Sequence, residues 1–197
     1  GLFLLLFNRY KLSYNFVFYL VFASGLIIAT FVDIKHRIIP DEVSIGGMIV
    51  GFLLSSIRGL SLGPLAFSPK PLLNSFYGII AGGGIIYLTG VLFDLVYFKL
   101  LKKPPIQGET ESMGGGDVKL LAMIGPFLGW KLEIITFFLA PFFGAVFGVV
   151  NLLVKKDHTI PYGPFLAVAS LASLYWSRVI LHLILGRLYR LVYTNAR

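Results

Sequence analysis

Residues 72–98 read LLNSFYGIIAGGGIIYLTGVLFDLVYF, a run interrupted by one charge, Asp94. About 20 predominantly apolar residues are enough for an α-helix to cross the hydrocarbon core of a bilayer, and this run is long enough to cross with tilt. Five further apolar segments lie outward from it: about Ser13–Val32, Val43–Ile57, Val118–Trp130, Leu132–Val154 and about Tyr162–Leu185. The chain of 197 residues is 57% hydrophobic and 13% charged, whereas a soluble domain carries about 25% charged residues. The expected fold is therefore all-α: a polytopic integral membrane protein with about six transmembrane helices. Residues 13–186 form the six-helix membrane domain and residues 187–197 a basic tail. Residues 1–12 are expected to be the end of a truncated helix or an interfacial lead-in. The apolar stretch GLFLLLF is too short to span, and the chain begins with Gly rather than Met, so removal of preceding sequence is the favoured reading.

The segment Val118–Trp130 is short for a crossing, and Gly125-Pro126 inside it removes a helix hydrogen bond and invites a kink. It either spans where the bilayer is thin or begins below the membrane surface, with GGGD at its mouth lining a wet cavity. Gly78 and Gly82, and Gly144 and Gly148, stand at the four-residue spacing that lets helices approach closely in lipid. They are read as packing features.

The net charge of +8 does not point to nucleic acid, because Lys and Arg lie in short clusters flanking apolar runs, as membrane flanks do. Six crossings place Asp33–Glu42, Lys99–Asp117 and Lys155–Pro161 on one side. That side carries eight Lys and Arg against five on the other, tail excluded, which favours it as cytoplasmic. Three arginines of the tail remove the margin. Cysteine is absent and the three histidines, His36, His158 and His182, are far apart, so no thiolate chemistry and no metal site is expected.

Carboxylates at a membrane edge are costly and are functional candidates by default. Asp33 ends the first apolar segment in FVDIKHRIIPDEVS, and Asp117 opens the fourth in SMGGGDVKLLAMIG. Two crossings separate them, so both return to one face and can meet. Gly114, Gly115 and Gly116 remove side chains ahead of Asp117, permitting positive φ and close approach of an extended substrate. Asp117 falls at a helix N-terminus, where the macrodipole favours a carboxylate. Two adjacent carboxylates share one proton; the ionised one can activate water while the protonated one polarises a peptide carbonyl.

Three blocks carry a resemblance: D-x-x-x-x-x-x-P-D at Asp33–Asp41, which includes Pro40; G-x-G-D-x-K at Gly114–Lys119; and IPYGPFLA at Ile160–Ala167, which includes Pro161, Gly163 and Pro164. With their order and spacing, the chain resembles the type IV prepilin peptidases, bacterial GxGD aspartic proteases. The resemblance implies an endopeptidase of the bacterial cytoplasmic membrane that removes the basic leader from prepilins or pseudopilins at the cytoplasmic face, with Asp33 and Asp117 catalytic. Its implied partners are those substrates and membrane lipid. Gly114, Gly116, Lys119, Pro40, Asp41, Pro161, Gly163 and Pro164 are implied as substrate-binding or structural support. Proteolysis of this kind needs no cofactor. Many members also N-methylate the new N-terminus, an activity associated with an N-terminal region. S-adenosylmethionine therefore enters only if this chain retains methyl transfer, which is not expected of it.

Other carboxylates have simpler readings. Asp41 and Glu42 suit a helix start. Asp94 is the rival catalytic carboxylate, read as pairing with Lys99 or snorkelling. Glu109 and Glu111 lie in a long polar loop, as solvated charge or as a hold on a basic leader. Lys35, Arg37 and Lys119 either tune the pair or only flank the membrane. A small transporter or proton relay using the same carboxylates is the alternative function; no inverted repeat supports it.

Overall fold

The computed structural model describes residues 1–60, 70–101, 114–154, 161–177 and 179. No strand occurs among them. The helices are α1 (Leu2–Tyr10), α2 (Tyr14–His36), α3 (Asp41–Leu60), α4 (Lys70–Asp94), α5 (Gly115–Leu128), α6 (Trp130–Val154) and α7 (Gly163–Tyr175), and α4 continues into a π-helical stretch, Leu95–Leu100. Three are long and apolar enough to cross a membrane by length and composition: Tyr14–His36, Lys70–Leu100 and Trp130–Gly148. Large apolar side chains such as Leu4, Leu88 and Phe142 face outward. Such surfaces are out of place in water and ordinary against lipid.

The short fourth segment is the centre of the bundle. Every residue of α5 from Leu120 to Leu128 is buried, and α5 touches α2, α3, α4, α6 and α7. The helix continues through Pro126, although a proline there has no N–H to give the carbonyl four residues back. Its C-terminal carbonyls would be orphans in an apolar interior. The Gly125 carbonyl accepts from Gly129 N–H at 2.7 Å, and the Pro126 carbonyl accepts from Ser55 Oγ of α3 at 3.2 Å and Ser75 Oγ of α4 at 2.8 Å. Gly129 turns the chain with φ 75, and a Cβ there would lie 2.0 Å from Asn74 Nδ2, so only glycine fits.

Gly78, Gly82 and Gly144, expected to pack, do so. A Cβ on Gly78 would come within 2.3 Å of the Gly125 carbonyl oxygen, and one on Gly82 within 2.6 Å of the Leu121 carbonyl oxygen. Helices α4 and α5 therefore meet backbone to backbone, the approach that small residues permit where lipid supplies no hydrophobic drive between helices. Gly144 of α6 seats the ring of Phe165 of α7.

Helix boundaries differ from the apolar runs in informative ways. Helix α2 extends to His36, beyond Val32, and Arg37 caps it in the left-handed region at φ 57 with its N–H on the Asp33 carbonyl. Asp33 thus lies inside the last turn rather than after the helix. Of the sixth segment, Gly163–Tyr175 form α7, and residues 180–185 lie outside the described residues. Residues 1–12 include a short helix that lies on α2, with the rings of Phe3 and Phe7 edge-on to Phe16 and Leu6 buried. Arg9 donates to the Tyr175 carbonyl.

Candidate active site

Helices α2, α3, α5 and α7 converge at one end of the bundle around a cavity of about 490 Å³. The last turn of α2 contributes Asp33, the α2–α3 connection contributes Arg37, Ile38 and Ile39, and the start of α3 contributes Asp41. The first turns of α5 bring Gly114, Gly116, Asp117 and Lys119, and the approach to α7 brings Pro161 and Tyr162. Asp33 and Asp117, far apart in sequence, thus line one space.

Asp33 is only 6% exposed. Its Oδ2 accepts a hydrogen bond from the Gly163 backbone N–H at 2.9 Å. Asp117 stands in the first turn of α5, just ahead of the apolar run that begins at Val118. Burial, and then the charge of Asp33, push the Asp117 carboxyl up to about 6. The expectation that the macrodipole would favour its carboxylate form is therefore overridden. A helix-end dipole acts at roughly the 1 kcal/mol level, less than the combined effect of burial and a like charge. Tyr162 is pushed up to about 12 by burial and by the charge of Asp117, so it stays a neutral phenol.

The glycines before Asp117 do not take up the positive φ that they permit. Gly114 has φ −64 in extended backbone, Gly115 and Gly116 are helical, and Gly129 has the one positive glycine φ among the described residues. What these glycines supply is room: a Cβ on Gly114 would sit 3.5 Å from Asp117 Oδ2, and one on Gly116 would sit 3.2 Å from Ile39 Cβ.

Of the remaining residues singled out from sequence, Asp41 and Lys119 line the cavity but engage each other, Nζ to Oδ1 at 2.7 Å, with side chains 57% and 44% exposed. Lys119 therefore bridges α5 to the start of α3. Pro40 and Pro164 do not line the cavity. The Pro40 carbonyl accepts from the N–H groups of Val43 and Ser44 at the start of α3, and Pro164 lies in the first turn of α7. Gly163 reaches Asp33 from behind the cavity. Asp94, the rival carboxylate, ends α4 and does not line the cavity. Glu109, Glu111, His158 and His182 lie outside the described residues. Sequence reasoning gives no separate role to Tyr162, whose only signal is its place inside IPYGPFLA. It also gives none to Glu133, fully buried in α6, although a carboxylate within an apolar run is itself a signal.

A model of the type IV leader peptidase family matches residues 20–149. The chain belongs to the type IV leader peptidase family. The matched residues contain Asp33 and Asp117, while the IPYGPFLA block lies beyond them. Among curated proteins the chain is similar to the prepilin leader peptidase/N-methyltransferase of Aeromonas salmonicida (strain A449), 34% identical over 155 residues that make up 77% of this chain and 46% of the relative. It is also similar to the proteins of the same name from Stutzerimonas stutzeri, 32% identical over 77% of this chain and 47% of the relative, and Pseudomonas aeruginosa, 29% identical over the same shares. The chain spans about half the length of the curated relatives it matches. No solved structure matches it. A polytopic helical membrane protein is the architecture that the family membership and the long apolar helices together describe.

Proposed function

We propose that this chain is an aspartic endopeptidase of the bacterial cytoplasmic membrane that removes the basic leader from prepilins or pseudopilins at the cytoplasmic face. The observation that carries the reading is that Asp33 and Asp117, from separate helices, line one cavity at one end of the bundle, with the charge of one raising the proton affinity of the other. Family membership and the names of the relatives support the substrate class. The chemistry needs one proton on the pair. The ionised carboxylate takes a proton from water as the oxygen attacks, and the other carboxyl gives its proton to the carbonyl oxygen. The tetrahedral diol collapses as the C–N bond breaks; the nitrogen receives the water-derived proton and a diol hydroxyl returns one to the second carboxyl.

The relatives' names carry a second activity, N-methyl transfer, to which no residue of this chain is assigned. The test is cleavage of a prepilin leader peptide by detergent-purified protein with no ion gradient, which also separates a protease from a transporter or proton relay. Asp33→Asn and Asp117→Asn should each lower cleavage by at least about 10²–10⁴-fold while keeping the helical content and melting transition. Undiminished cleavage by either folded variant overturns the proposal.

A further inference from the structure

The two aspartates are not equivalent. Helix α7 begins at Gly163, and the first N–H groups of a helix have no intrahelical partner. At this end Pro164 has no N–H, and the Phe165 and Leu166 N–H groups both donate to the Tyr162 carbonyl, at 3.0 and 3.2 Å. The Gly163 N–H is thus the donor left at the tip, and it points at Asp33 Oδ2, 2.9 Å away. A carboxylate from α2 therefore caps α7, at the positive end of its macrodipole. Only glycine can make this contact, since a Cβ at position 163 would lie 2.6 Å from Oδ2 and 3.2 Å from Cγ of Asp33. Asp117 receives no comparable donor from a neighbouring helix among the described hydrogen bonds.

From this asymmetry, and resting on the aspartic-protease reading, we infer that Gly163 is a positioning residue that holds Asp33 as the ionised, water-activating member of the pair and leaves the shared proton on Asp117. Both carboxyls are withdrawn from water, but among the described hydrogen bonds the donor that favours a charged form goes to Asp33, and a like charge nearby disfavours a second ionisation. The order of proton transfers then has a direction: Asp33 takes the proton from water, and Asp117 gives its own to the carbonyl oxygen. The charged and titratable groups around the Asp33 carboxylate are Arg37 on its own helix, Asp41 on α3, Asp117 and Lys119 on α5, and Tyr162 ahead of α7. Lys119 and Asp41 are paired with each other, and the phenol of Tyr162 is neutral. Asp117 and Arg37 are the other charged groups lining the same cavity.

The test uses the full chain in detergent with a prepilin leader peptide. Gly163→Ala should lower kcat on the order of 10²-fold, as loss of a preorganised N–H donor does, leave KM unchanged, and move the acidic limb of the kcat–pH profile to higher pH. A merely structural glycine would not move that limb, so a folded Gly163→Ala with an unshifted profile overturns the assignment. Infrared spectra at pH 5 supply a measurement that does not depend on how this variant folds. The protonated-carboxyl band of the pair should be lost in Asp117→Asn and kept in Asp33→Asn, other carboxyls contributing equally. The reverse pattern overturns the assignment while leaving the protease reading intact. Undiminished cleavage by the Asp→Asn variants instead removes the reading on which it rests.

Discussion

Gly78 of α4 and Gly125 of α5 meet backbone to backbone, so that a Cβ on either would lie 2.3 Å from a main-chain atom of the other. No side-chain rotation relieves such a contact. The two helices would have to separate, carrying the first turn of α5 and Asp117 with them. Gly78→Ala is therefore expected to cost about 1–3 kcal/mol of stability, read as a lower melting temperature in detergent, together with reduced cleavage.

The buried end of α5 depends on two hydroxyls. Ser75→Ala alone leaves Ser55 on the Pro126 carbonyl and should cost under about 1 kcal/mol, whereas Ser55→Ala and Ser75→Ala together leave a buried acceptor unsatisfied, at about 1–3 kcal/mol. A double-mutant cycle on the melting transition checks that the combined loss exceeds the sum of the two single losses.

The proton shared by the aspartates sets a pH window. Because Asp117 is pushed up to about 6, the pair keeps one proton below that pH and loses it above. Cleavage should fall as pH rises through about 6 and fall again in acid, when both carboxyls are protonated. An initial-rate profile with leader peptide checks both limbs; an alkaline limb at roughly pH 4, the ordinary range of an aspartate, contradicts the burial of Asp117.

Lys119 provides a contrast. Its partner is Asp41, and both side chains are substantially exposed, so the pair is worth no more than about 1 kcal/mol. Lys119→Gln should melt within that margin of the parent and leave the alkaline limb where it was. A large shift of that limb would show that Lys119 acts on the aspartates directly.

Glu133 tests the cost of an isolated carboxyl. Both its oxygens are buried without a hydrogen-bond partner among the described residues, and one lies against Gly82. Replacing such a group by an apolar side chain of similar size is often neutral or stabilising. Glu133→Leu is expected to melt at or above the parent temperature with cleavage retained.

The placing of Asp33 and Asp117 in one space was legible in the sequence, because an even number of helices between them, α3 and α4, returns the chain to the same end of a bundle whatever the details of packing. The Gly78 and Gly82 contacts were legible for a similar reason: four-residue spacing places both glycines on one helix face. The partnership of Lys119 with Asp41 was not, since it depends on how α5 lies beside α3, and a sequence shows charges without distances. The hydrogen bond from Gly163 to Asp33 was equally hidden. It arises where the end of one helix meets the start of another, and neither local pattern names its partner. Which of two uses Gly114 and Gly116 serve was hidden for a simpler reason: glycine permits both unusual backbone angles and plain lack of bulk, and composition does not say which.

Helix α5 is also a ruler. Its 14 residues measure about 21 Å at 1.5 Å each, and its zero mark is fixed by the serines on the Pro126 carbonyl and by the turn at Gly129. The depth at which Asp117 lies is therefore measured from the far side of the bundle. Adding or deleting one residue between Asp117 and Pro126 would move the carboxyl by about 1.5 Å and swing it about 100° around the axis, away from Asp33, although no residue of the cavity had been changed.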